Sequence, residues 1–164
     1  MIIEIKTRGP VFDGRFNGIM DKEYRGAMTD SIYKLENEIA KNTPVGVTGI
    51  LRAGIQGRVV SPYRGRVGVV GAAAKYGDIR ERGRRPGPVS REGQESIALW
   101  VKRKLQIRNE KELKSVAYLV TRKIRKKGYK GAFMFKNAEK KLRGWVIRRF
   151  EIATKRLETQ VTDR

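Results

Sequence analysis

Apolar residues return every third or fourth position along three stretches of this chain, a spacing that only an amphipathic helix turns toward one side. From about Met20 to Lys41 the stripe is Met20, Tyr24, Met28, Ile32, Leu35 and Ile39, and Pro44 cannot continue it. Leu113, Val116, Ala117, Val120 and Ile124 make a second stripe. Asn109 with Glu112 three residues on has the form of a capping box ahead of it, and Gly128 behind two lysines gives it a stop. The third helix runs from near Asn137 to near Leu157, with Leu142, Trp145, Val146, Ile152, Ala153 and Leu157 inward. Lys140, Lys141, Arg143, Arg148 and Arg149 point mostly outward, and Gly144 costs about 1 kcal/mol relative to alanine. A shorter face of Ile97, Trp100, Val101 and Leu105 precedes the second stripe, so residues 95–127 are expected to form a helical hairpin.

Between the helices the period changes. Ile2, Ile3 and Ile5 open the chain as a short strand that stops at Gly9-Pro10. Ile55 to Val60 and Arg66 to Val70, joined by Ser61-Pro62-Tyr63-Arg64-Gly65, suit two antiparallel strands around a turn begun by proline. Residues 75–93 hold four Gly, two Pro and many charges with no apolar period, and are expected to form an extended surface loop. The chain therefore reads as α+β, and 164 residues suit a single domain, 1–164.

The 38 Lys and Arg against 17 Asp and Glu leave a net charge of +21, and residues 101–149 hold 18 of those cations against 3 acids. Such a field calls for an anionic partner, and nucleic acid, an acidic protein surface or a membrane face would each satisfy it. The candidate contact is the basic tract Lys102, Arg103, Lys104, Arg122, Lys123, Arg125, Lys126, Lys127 and Lys130, with Trp100 and Tyr129 beside it. The competing reading is a solvated helix face, although few acids stand at i,i+4 to balance it.

Chemistry is sparsely provided. The chain has no His, the usual general base at neutral pH, and no Cys for a thiolate or disulfide. GRVGVVG at 65–71 lacks the spacing of a phosphate-binding loop, and the acids are scattered without a cation-binding loop to gather them. No enzyme activity, cofactor or metal is expected. No stretch approaches the roughly 20 apolar residues of a membrane span, so the expectation is a soluble chain that is not exported and has no membrane partner.

Three stretches in fixed order resemble the tail-completion or neck protein family of tailed phages, including its longer members described as minor tail protein Z-like. Thr43 to Ile55, TPVGVTGILRAGI, is similar to the family's Pro-Val, polar turn, Thr-Gly and Leu-Arg pattern, with Gly46-Val47 standing where many members have a single Asp. Lys75 to Pro88, KYGDIRERGRRPGP, resembles its Tyr, Glu, Gly, Arg, Pro loop through Tyr76, Glu81, Gly83, Arg84 and Pro86. Lys126 to Ala138, KKGYKGAFMFKNA, is similar to the glycine turn and aromatic pair that lead into the last helix.

The resemblance implies a small antiparallel sheet packed by long helices, with the helical pair at about 95–127 as an insertion of the longer branch. It implies a homo-oligomer, commonly a hexameric ring, that joins the tail to the head connector and meets the tail tube or tail terminator, with packaged DNA as a possible contact. The place of action would be the head–tail junction of the virion, after assembly in the host cytoplasm. Tyr76, Arg80, Glu81, Arg82, Arg84 and Arg85 would then be interface residues, the alternative being an ordinary surface loop. A different reading, from charge alone, is a non-specific nucleic-acid-binding protein.

Overall fold

The computed structural model describes residues 14–162. The element order is α1 (Arg15–Asn42), α2 (Ile50–Ala53), β1 (Ile55–Ser61), β2 (Arg64–Val69), α3 (Ala74–Arg82), β3 (Gly83–Arg84), α4 (Arg91–Lys104), α5 (Glu110–Lys127), β4 (Tyr129–Lys130) and α6 (Met134–Thr162). This is an α+β fold in which small antiparallel sheets accompany long helices, with a helical hairpin in the C-terminal half. The strand expected at Ile2, Ile3 and Ile5 lies outside the described residues. The chain divides into two compact units, each assembled from separate segments.

The first unit takes the chain up to Glu38, Gln56–Gly68 and the chain from Ala138 on. Its parts of α1 and α6 run side by side in opposite directions. Going up α1, Glu23 accepts from Gln160 at 3.0 Å, Tyr24 meets Thr154 at 3.0 Å, Asp30 accepts from Arg149 at 2.7 Å and Glu38 from Lys141 at 2.8 Å. Lys34 sits 4.9 Å from the centre of the Trp145 ring. Ala27, Ile32, Ala138, Leu142, Ala153 and Leu157 are buried, so small residues let the helices approach and larger ones fill what remains. Arg149, expected to point outward, turns in to Asp30 with 18% of its side chain exposed, whereas Ile152, expected inward, is exposed. At 100° per residue Arg149 falls between Trp145 and Leu142 on the inward arc, whereas Ile152 lies roughly 100° from the line of Leu142, Ala153 and Leu157.

The strands β1 and β2 form the expected hairpin, with a turn tightened to Pro62-Tyr63. They lie close on α1 because two positions lack a side chain. A Cβ on Gly65 would stand 2.6 Å from Ile32 Cδ1 and 2.8 Å from Met28 Sδ, and one on Gly57 would strike Ile32 and Glu36. At Gly57 the backbone N–H also donates to Glu36 Oε2 at 2.9 Å, closing the hairpin onto the helix with a hydrogen bond.

The second unit comprises Ile39–Ile55 and Val69–Asn137. Its core holds Ile39, Leu51, Ile55, Ala73, Val89, Val101, Ala117 and Met134. Thr43 is 2% exposed, and its hydroxyl donates to Ile39 O at 2.6 Å and lies 3.1 Å from Met134 Sδ, so its polar group is satisfied inside. Strand β1 begins at Ile55, where it was expected. Gly49 at φ +65 opens the one-turn helix α2 first, and Gly54 N–H closes that turn on Ile50 O at 2.8 Å before β1 begins.

Residues 75–93 are not the extended loop expected of them. Their first eight residues belong to α3, and their end is already α4, which is capped by Ser90, whose hydroxyl accepts from Gly93 N–H at 3.2 Å. Only residues 85–90 between β3 and α4 are irregular. Helix α3 has no apolar stripe to advertise it. Its Gly77 is buried because a Cβ there would stand 2.9 Å from Val69 Cγ2, so a close backbone approach holds the helix rather than propensity. By contrast α5 begins and ends as its residues dictate: Asn109 Oδ1 accepts from Lys111 N–H at 2.9 Å and Glu112 N–H at 3.3 Å, and Gly128 follows its last turn at φ +64.

Candidate functional site

The six residues singled out as an interface sit on α3, β3 and the residue after. At 100° per residue, Tyr76 and Arg80 share one face of α3 and Asp78 and Arg82 the opposite one, with Ile79 between the two. The Arg80 guanidinium lies between two rings, 5.8 Å from the Tyr76 centre and 5.5 Å from that of Tyr129. Burial pushes the Tyr76 phenol above its ordinary pKa, the Arg80 charge opposes that shift, and Tyr129 adds to it. Tyr129, expected beside the basic tract as a stacking ring, is thus half-buried and occupied by Arg80.

Tyr76 and Arg80 form one wall of a groove of about 230 Å³ whose other wall includes Pro44, Thr48, Ile50 and Ala72. Ile50 and Tyr76 in these walls, and Val45 and Ile79 next in sequence to lining residues, are exposed. The first two motifs, separated by 19 residues of chain, therefore meet across one groove. The third motif joins them from behind. Gly131 lies so close to Glu81 O that a Cβ on it would overlap that atom, and Gly128 approaches Arg84 O in the same way. In the ladder between them, Gly83 pairs with Lys130 and Arg84 with Tyr129.

Glu81 has an internal role. Its Oε2 accepts from Phe135 N–H at 3.0 Å and its Oε1 from Lys136 N–H at 3.1 Å, which satisfies two of the free amides at the start of α6. Arg82 pairs with Asp78 at 3.1 Å, both well exposed, Arg84 donates to Pro88 O, and Arg85 is exposed. The six residues consequently do not make one patch: Tyr76 and Arg80 face the groove, Glu81 is structural, and the remaining arginines lie on other sides.

The basic tract is likewise divided. Helices α4 and α5 pack together, burying Val101 on the one and Ala117 on the other, with residues 105–109 between them, and Gly87 N–H ahead of α4 donates to Arg125 O at 2.9 Å. The hairpin is antiparallel, so Lys102, Arg103 and Lys104 lie at its tip. Arg122, Lys123, Arg125, Lys126 and Lys127 lie at its base, on the order of 20 Å away along α5. All nine cations of the tract are exposed, and among the described residues none forms an ion pair. Trp100 and Leu105, expected on the buried face of α4, are 37% and 50% exposed. That helix contributes Val101 to the core, and Leu105 falls just past its end.

Among the described residues no three acidic side chains gather in a way that would hold a metal ion, and no helix is long and apolar enough to cross a membrane. No family model matches the chain, and searches of characterised proteins and of solved structures find no match.

Proposed function

We propose that the chain is a structural subunit of the head–tail junction of a tailed phage, a tail-completion or neck protein that works by docking and turns nothing over. The observation that carries this reading is the convergence of the three stretches that resemble that family on one unit, around the groove and its backing turns. A catalytic site needs convergent polar groups of perturbed acidity. The groove instead offers exposed Ile50 and Tyr76 beside Pro44 and Ala72, with one arginine held between two tyrosines, a surface suited to burial against another protein.

In this reading the groove is where a neighbouring subunit of a ring, hexameric by analogy with the family, or the head connector or tail terminator docks. The net charge of +21 makes copies repel one another, which favours a ring that closes on its partner rather than in free solution. The chain would then reside in the virion after assembly in the host cytoplasm.

Light-scattering mass of nuclease-treated protein across a salt series, alone and with purified tails, tests the proposal. A discrete ring, or a monomer that joins tails without free DNA, supports it. A monomer that ignores tails and heads at every salt concentration overturns it.

A further inference from the structure

Helix α5 presents a second, separate surface. Its apolar stripe of Leu113, Val116, Ala117, Val120 and Ile124 is covered or partly covered. On the far side, at 100° per residue, Lys111, Lys114, Tyr118, Arg122 and Arg125 fall within an arc of roughly 80° and span about 21 Å of helix. All five are exposed, and Tyr118 at 65% is more exposed than Trp100 or any of the apolar groove residues. None of the four cations has an ion-pair partner among the described residues. The acids of the helix, Glu110 and Glu112, sit in its first turn and off this stripe, where they complement the helix dipole. Arg122 and Arg125 belong to the basic tract read from the sequence; Lys111, Lys114 and Tyr118 do not, and only the helix brings the five into line.

Like charges stacked one turn apart on a helix repel, by a few tenths of a kcal/mol per pair, and among the described residues no ion pair, not even from Glu110 four residues before Lys114, offsets that along this stripe. A regularly charged polyanion does. An acidic protein surface would need only the cations. The flat ring in the middle of the row serves a partner that carries planar groups between its charges, because a base stacked on an aromatic side chain leaves the flanking phosphates to the cations on either side. We infer that the outer face of α5 binds a single strand of nucleic acid, with Lys111, Lys114, Arg122 and Arg125 on phosphates and Tyr118 under a base. About 21 Å of helix covers roughly six nucleotides at the 3.4 Å spacing of a stacked strand. The inference does not depend on the junction reading: protein that fails to join tails can still bind a strand, and protein that joins tails can fail to bind one.

The test is fluorescence anisotropy of a labelled short oligothymidylate across a salt series, with circular dichroism of each variant to verify that the helices remain. The Lys114→Gln, Arg122→Gln, Arg125→Gln triple variant is expected to lower the slope of log affinity against log salt by about 2, from about 0.7 per phosphate contact. Tyr118→Ala is expected to weaken binding roughly 5- to 150-fold with the slope unchanged, and Tyr118→Phe to restore it. A control triple at the hairpin tip, Lys102→Gln, Arg103→Gln, Lys104→Gln, is expected to lose less than the stripe triple. The inference is overturned if Tyr118→Ala binds as the parent does, if the tip triple loses as much as the stripe triple, or if polyglutamate competes charge for charge as well as the oligonucleotide.

Discussion

Glu81, near the end of α3, accepts the backbone N–H of Phe135, 54 residues later, through one carboxylate oxygen and that of Lys136 through the other. The first amides of a helix have no partner within it, and the helix's dipole favours a negative charge there. Most helices answer this need with a local cap. Here α6 borrows a carboxylate from a distant segment, and the chain enters it through Phe133 at φ +51, a left-handed conformation that costs a non-glycine residue about 1–2 kcal/mol. Phe133 N–H donates to Glu81 O at 3.1 Å, and Ala132 N–H to Arg80 O at 2.8 Å, so the same turn that supplies the cap also holds the strained entry in place.

Glu81→Ala is therefore expected to destabilise the fold by about 2 kcal/mol, the range for losing hydrogen bonds to a charged group at a helix start. Glu81→Gln, which keeps one acceptor oxygen, is expected to lose about half as much. Denaturant unfolding followed by circular dichroism reads both; an Ala variant with the parent's midpoint would mean the contact contributes nothing.

The glycines behave in two opposite ways. At Gly131 and Gly128 a Cβ would overlap backbone atoms of the facing turn, which cannot swing aside as a side-chain end can. Gly131→Ala or Gly128→Ala is expected to abolish the native melting transition. Gly144 on α6 is exposed, and a methyl group there would meet nothing within 4 Å, so Gly144→Ala is expected to stabilise by about 1 kcal/mol. Thermal melts of the three variants check both halves, and a destabilised Gly144→Ala would contradict the account of α6.

Tyr76 supplies a pH prediction. Its phenol is raised above the ordinary value of 10.0, chiefly by burial. The folded chain thus holds that proton more tightly than the unfolded chain does. Its contribution to stability is complete below pH 10 and is lost as pH rises through the raised folded value. Tyr76→Phe is expected to remove one late component from the ultraviolet titration of the tyrosines, and Arg80→Gln to move that component later still, since the Arg80 charge opposes the shift. A titration in which Arg80→Gln moves it earlier would contradict the geometry.

What the sequence discloses follows from where the signal is stored. Helices α1 and α5 are written locally, the first as a stripe ended by Pro44 and the second as a stripe framed by Asn109 and Gly128; α5 has the expected ends, and α1 stops where expected but starts five residues earlier, at Arg15. Helix α3 is invisible because what holds it, Gly77 against Val69, is a contact between elements. The role of Glu81 is hidden for the same reason, its partners being backbone amides that carry no residue identity. The basic tract looks continuous in the chain because it is counted along the chain. A hairpin turn at 105–109 sends its two halves to opposite ends, and the helical period selects a different set of cations, with Tyr118 among them.

The proposed place of this chain in a virion is checked by electron microscopy of tailed particles carrying a gold-tagged copy of it. The proposal predicts label at the head–tail junction, and heads and tails left unjoined when the chain is withheld. Particles that assemble normally without it, or label confined to free nucleic acid, would contradict it.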